Sequence, residues 1–321
     1  MAAKRLSMDR IRGVVNMGRE AEENMEEHLH LSVLVDEAAP EWMVRTIRDA
    51  LMPTRDALVD VKLLSGAPAV AGIDVGIVLS GGSDEYVRTA IRCFAGARQH
   101  VVVLAQSSLD IPETHLPSKL GQYVSEVVAS EPEQLADKFA AALLDSTEKD
   151  VSCAANFEFC RQVATARLVS RCAARNAFMG VANFIPGAGM PLMTMNQVNL
   201  SFDIAATYGH GLSLGRAPEV ISVILAGFAY RWIAHVAMRV APGLGLLLRT
   251  GIAYGGTLVT GRMLSSHFTE TLPSAEPPVS VVSRVEEIIE SCKSNAGDGE
   301  TQAEEVPAKM YVTIGGDGNL A

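Results

Sequence analysis

Ile73–Ala105 reads IDVGIVLSGGSDEYVRTAIRCFAGARQHVVVLA, and the fold turns on this stretch. An apolar run, Ile73–Leu79, stops at a glycine-bearing turn, Ser80-Gly81-Gly82-Ser83. A segment capped by Ser83 follows, in which Tyr86, Val87, Ala90, Ile91 and Phe94 return at helical spacing, and a second run, His100–Ala105, closes the unit. Strand, crossover helix and strand make a βαβ unit, whose strands lie parallel. Unbroken apolar runs such as Val101-Val102-Val103-Leu104 suit strands covered by helices on both faces.

The same alternation extends in both directions. Further strands are predicted at Leu29–Val35, Leu58–Leu64 and Tyr123–Val128, with one helix marked by Trp42, Ile47 and Leu51 and another over Pro132–Leu144. Residues 28–150 therefore read as an α/β domain, doubly wound around a mostly parallel sheet of about five strands. A charged helix over about residues 5–27 precedes it, within an N-terminal segment 1–27.

Residues 151–270 read as a glycine-rich, apolar helical domain. A long helical pattern from Cys153 to Phe178 carries Arg167, Arg171 and Arg175 four residues apart, so their charges stack on one face. That face suits an anionic membrane surface, or the acidic residues of the α/β domain. The loop Asn183-Phe184-Ile185-Pro186-Gly187-Ala188-Gly189 breaks the pattern, a helix runs from Pro191 to about Tyr208, and Gly209 ends it. Two strongly apolar helices are expected over Pro218–Val240 and Gly243–Leu264. Residues 271–321 read as a short amphipathic helix and an acidic disordered tail.

Both apolar helices approach the roughly 20 residues that span a bilayer. Yet Arg231, His235 and Arg239 share one face, and Arg249 sits among Leu246, Leu247, Leu248 and Ile252. Gly251 and Gly255, joined by Gly256, make a small-residue stripe at which helix backbones approach closely, and Gly187 and Gly189 belong to the same packing set. A membrane, a soluble bundle, and partner helices including those of a second copy in a homo-oligomer all remain open readings.

Charge is uneven along the 321 residues. The net charge of −10 divides into −9 over residues 1–150, +5 over 151–270 and −6 over the rest. Only the middle segment suits an anionic surface, and the acidic remainder argues against nucleic acid as a partner. Five cysteines stand singly without a C-x-x-C pair, which indicates neither a disulfide framework nor a zinc site and fits a reducing compartment. The charged first thirty residues contain no apolar run of the kind a secretory signal needs.

Nucleotide chemistry would require a phosphate-cradling loop after the first strand. Val35-Asp36-Glu37-Ala38-Ala39-Pro40 stands there instead, with two negative charges and neither glycine nor lysine. Ser80, Gly81, Gly82 and Ser83 could form an anion nest at a helix start, but Asp84 and Glu85 already complement that helix dipole. Asp36 and Asp84, with Glu37 and Asp110 nearby at the carboxyl edge of the sheet, are candidate Mg²⁺ ligands or simply solvated strand ends and caps. The histidines lack ligand spacing, and no nucleophile motif appears. No catalytic residue and no cofactor is assigned.

From about Arg175 to Phe268 the chain resembles the YcjF-like family, domain of unknown function 697. The resemblance rests on Asn183–Gly189, Asn196, the helix end Ala205-Ala206-Thr207-Tyr208-Gly209, and Gly251-Ile252-Ala253-Tyr254-Gly255-Gly256-Thr257. In that family the helical domain often follows a GTPase domain and is regarded as membrane-associated. Here the P-loop and N-K-x-D motifs are missing, Gln106-Ser107-Ser108-Leu109 standing in place of the latter. The resemblance thus implies a degenerate, non-hydrolysing relative. The α/β layout is also similar to a phosphoacceptor receiver, with Asp36 and Glu37 at the place of its acidic pair, but Ser80 replaces the phosphorylated aspartate and no lysine follows Val128.

These features point to a non-enzymatic accessory or scaffold protein, with a protein partner for the α/β domain and a membrane or partner helices for the helical domain. Its expected place is the cytoplasmic side of a membrane, or else the cytoplasm. A divergent GTP-binding protein and a degenerate receiver-like signalling module are the alternatives.

Overall fold

The computed structural model describes residues 2–82, 84–182, 189–210 and 312–313 and, in the last helical stretch, residues 254–255, 257–259, 261–262 and 264–266. The chain divides into two compact units. One comprises His28–Cys160 with Ser274–Ala321, and the other Met1–Glu27 with Arg161–Pro273.

The first unit is an α/β sandwich. Its strands are β1 (His30–Val35), β2 (Leu58–Leu63), β3 (Val75–Ser80), β4 (His100–Ala105) and β5 (Val124–Val128). They pair in parallel in the order β5-β4-β3-β1-β2, and Val312–Thr313 (β6) lies antiparallel beside β2. All six residues of β3 and the last five of β4 are buried, as expected for strands covered on both faces.

Three helices provide much of that cover. In α2 (Glu41–Ala50), Met43, Val44 and Ile47 point inward, and in α5 (Pro132–Asp145) Leu135, Phe139, Ala140, Leu143 and Leu144 do so. These two helices pack against each other. Helix α3 (Asp84–Gly96) buries Val87, Ala90, Ile91 and Phe94 against Leu34, Val78, Val101 and Val103 of the sheet. Gly76 makes room for the Phe94 ring, since a Cβ at that position would lie 2.6 Å from Phe94 Cε1. Helix α4 (Ser118–Gly121) is a single turn before β5. Between β2 and β3 no helix forms, and Leu64, Val70 and Ile73 of that connection pack directly into the α3 side of the core.

The helix predicted as continuous from Cys153 to Phe178 is broken. Helix α6 (Asp150–Asn156) ends at Phe157, whose backbone is extended, a 3₁₀ turn occupies Glu158–Cys160, and α7 begins at Arg161 and runs to Ala182. Aromatic packing explains the break. Phe139 stacks on Phe159 at 5.2 Å, Phe157 lies 6.3 Å from Phe159, and Phe157 is fully buried. Such contacts contribute about 1 kcal/mol each beyond their buried area, enough to outweigh a turn of helix. Polar bonds fix the same corner. Asn156 Nδ2 donates to Ser152 O at 2.9 Å, and Asn156 Oδ1 accepts the Ala57 amide at 3.0 Å.

The second unit is helical. It holds α1 (Ala2–Met25), α7, α8 (Gly189–Thr207) and the described helical residues between 254 and 266. Helix α8 packs on both α7 and α1. It ends at Gly209, whose φ of +76° lets the amides of Gly209 and His210 fold back onto the carbonyls of Ala206 and Ala205. The apolar helix expected over 218–240, most of that over 243–264, and the helix and tail expected beyond 271 lie outside the described residues, apart from Val312–Thr313.

Candidate functional site

Strand order reverses between β1 and β3, and sheets of this type bind ligands in the crevice beyond the carboxyl ends of two such strands. The residues at this position are Asp36, just after β1, and Ser80-Gly81-Gly82, at the end of β3. Asp36 is buried, and its own N–H donates to Leu79 O at 3.0 Å. Its carboxylate accepts the Gly81 amide at 2.8 Å and the Ala38 amide at 3.3 Å. The anion nest anticipated at Gly81 therefore already holds an anion, the protein's own Asp36.

Steric fit closes the same place. A Cβ added at Gly81 would collide with the backbone of Ala38 and Ala39, so the two loops touch main chain to main chain. The buried Ser80 hydroxyl donates to Asp110 O, and Gly82, at φ +104°, turns the chain away. Asp110 in turn accepts the Ser107 amide at 3.0 Å, while Ser107 Oγ accepts from Leu109 N–H, a capping box on the turn after β4. The carboxylates expected to gather as Mg²⁺ ligands are thus distributed differently. Asp36 and Asp110 are engaged by backbone amides, and Glu37 is exposed. Among the described residues no group of three or more His, Cys, Asp or Glu side chains could hold a metal ion. Ser83 and the Asp84 side chain lie outside the described residues.

At the opposite edge of the sheet lies a charged network that sequence reasoning missed. His30 Nδ1 lies 2.8 Å from Gly72 O, and its Nε2 lies 3.0 Å from Asp60 Oδ2. Asp74 accepts the His30 amide and, at 2.8 Å, Lys149 Nζ, which also donates to His28 O. The network ties the starts of β1 and β3 to the α5–α6 connection.

In the helical unit, Arg171 and Arg175 are exposed and Arg167 is half-buried on α7. Of the packing glycines anticipated from sequence, Gly187, Gly251 and Gly256 lie outside the described residues, and Gly189 is the first residue of α8. No described atom lies within 4 Å of a Cβ built at Gly255. The close approach is at Gly261, where a Cβ would run into Val169 Cγ2 and lie 2.9 Å from Cγ1.

A polar chain threads this unit. Asn196 Nδ2 donates to Asn176 Oδ1 at 3.2 Å, and Asn176 Nδ2 donates to Thr257 Oγ1 at 3.1 Å. One helical turn along α8, Asn199 Nδ2 donates to Asp203 Oδ2 at 3.2 Å. Burial pushes the Asp203 carboxyl up from 3.8 to about 6, Glu20 pushes it the same way, and Arg175 opposes them. The signal for this cluster was in the sequence. Asn196, Asn199 and Asp203 sit three and four residues apart in α8, a spacing that places them on one face.

Comparison with protein-family models, with curated proteins and with solved structures finds no match to this chain.

Proposed function

We propose that the chain is a non-enzymatic accessory or scaffold protein, a degenerate relative of the YcjF-like family. In this reading the α/β unit presents its edge to a protein partner, and the helical unit meets a membrane or partner helices. The observation that carries the reading is the Asp36–Gly81 bond at the strand-order reversal. A nucleotide phosphate would need the amide that Asp36 occupies, in a crevice where backbone already touches backbone. The net charge of +5 over residues 151–270 supports an anionic surface as the target of the helical unit. No described helix is long and apolar enough to cross a membrane.

The strand order also favours a second reading, a degenerate receiver-like signalling module, because receivers share it. Ser80 stands at the acceptor position, and its hydroxyl is bonded to Asp110 O.

Co-sedimentation with phosphatidylcholine vesicles, with and without phosphatidylserine, tests the membrane arm. Arg167 and Arg171 are the residues to change, because Arg175 also acts on Asp203. Each basic residue near an anionic leaflet contributes about 1 kcal/mol, so Arg167→Gln with Arg171→Gln is expected to weaken binding roughly thirtyfold at low salt. The loss should shrink as salt rises. Equal sedimentation of wild type and variant at every salt concentration would remove the membrane-surface arm.

A further inference from the structure

Strand β2 lies between β1 and the short β6. The amides of Leu58, which opens β2, and of Leu64, just past its end, donate to Leu29 O and Val35 O, both at 2.8 Å. Backbone polar groups alternate sides along a strand, so the even-numbered residues of β2 address β1 and those of Val59, Val61 and Leu63 point away from it. On that outer edge Val61 stands opposite Val312 and Asp60 opposite Thr313, in antiparallel register. Among the described residues these two are the ones that cover it. The register has room for more. Continued in both directions it sets Ile314 against Val59 and Met310 against Leu63, so that each outward-pointing residue of β2 meets one of Met310, Val312 and Ile314. The run Met310-Tyr311-Val312-Thr313-Ile314 is rich in β-branched and aromatic residues, the composition a strand favours.

We propose that the outer edge of β2 is a strand-addition site, and that residues 310–314 of a second copy of this chain are its occupant in trans. The proposal rests on the reading above in which the α/β unit offers an edge to a protein partner, and it names that edge and that partner. Main-chain hydrogen bonds supply the attraction, as they do wherever an extended segment joins an open sheet edge. An identical segment makes identical pairs, so tethering alone favours the chain's own strand over a second copy's. A tethered segment acts at an effective concentration of about 1 mM, and exchange between copies takes over as the chain approaches that concentration. Reciprocal exchange then joins two copies about a two-fold axis.

Val312→Pro in the full chain removes the amide that faces Val61 and frees the edge. A fluorescein-labelled peptide of residues 308–316 is expected to bind this variant about tenfold or more tighter than wild type, whose own strand competes for the site. Hydrogen exchange resolved at single amides by NMR should show the peptide protecting Val59, Val61 and Leu63 while Asp60 and Lys62 are unchanged, an alternation that general stabilisation does not produce. If Val312→Pro does not fold, a chain ending at Val306 opens the edge by a second route. In sedimentation, wild type should pass from monomer at about 10 μM toward dimer at about 1 mM, with Val312→Pro monomeric throughout. A peptide that binds neither chain, binds both equally, or protects all five amides alike overturns the proposal. So does wild type that stays monomeric at about 1 mM, or a Val312→Pro chain that dimerises as wild type does. Vesicle binding and nucleotide titration do not involve this edge, so failure here is distinguishable from failure of the accessory reading.

Discussion

Replacing Gly81 with alanine is expected to destabilise the α/β unit by about 3 kcal/mol, a large cost for one methyl group. The methyl would collide with the Ala38 carbonyl and the Ala39 nitrogen, which are backbone atoms and cannot rotate aside as a side chain would. Relief requires separating the β1 and β3 loops, which also breaks the Asp36–Gly81 hydrogen bond and strands a buried carboxylate. Hydrogen exchange of the β1 and β3 amides in the full chain measures the loss without assuming that both units unfold together. A change under about 0.5 kcal/mol would mean that the loops are not clamped.

In the helical unit the largest effect is expected at Gly261. Leucine there should cost about 3 kcal/mol, because the new side chain meets the stiff, buried Val169 on α7. The same substitution at Gly255 should be mild, as no described atom lies within 4 Å of its Cβ position. Exchange rates of α7 amides distinguish the two variants. A matching Val169→Ala change should recover part of the loss at Gly261, since the two side chains would compete for one space. Equal tolerance at both glycines would contradict the packing described.

The five parallel strands were legible in the sequence to within two residues, because Val, Ile and Leu runs bounded by Gly, Pro and Asp leave little choice of where a buried parallel strand begins, whereas β6, inside the segment expected to be a disordered tail, was not. The break at Phe157 was not. Helical periodicity runs through it, and what ends α6 is a stack with Phe139, distant in the chain and invisible to local pattern. Asp36 was recognised as a strand-end carboxylate, but its partner, the Gly81 amide, lies 45 positions away and carries no side chain to announce it. Asp203 was not singled out in the sequence, although Asn196, Asn199 and Asp203 recur at helical spacing and so share one half-buried face of α8. The glycine stripe suggested Gly251 and Gly255, yet the close approach in the described residues is one turn and a half further on, at Gly261. Small-residue spacing shows that helices can approach and leaves open which turn does so.

We infer that the β1–β3 edge, filled by the Asp36 carboxylate and the Ala38–Ala39 backbone, does not take a nucleotide. Calorimetric titration of the full chain with GTP and with ATP, each in excess Mg²⁺, tests it most directly. With Asp36 on the Gly81 amide and the Ala38–Ala39 backbone against Gly81, neither nucleotide should bind more tightly than about 1 mM. A dissociation constant near 1 μM for either would show that the crevice opens to phosphate, and would contradict the account.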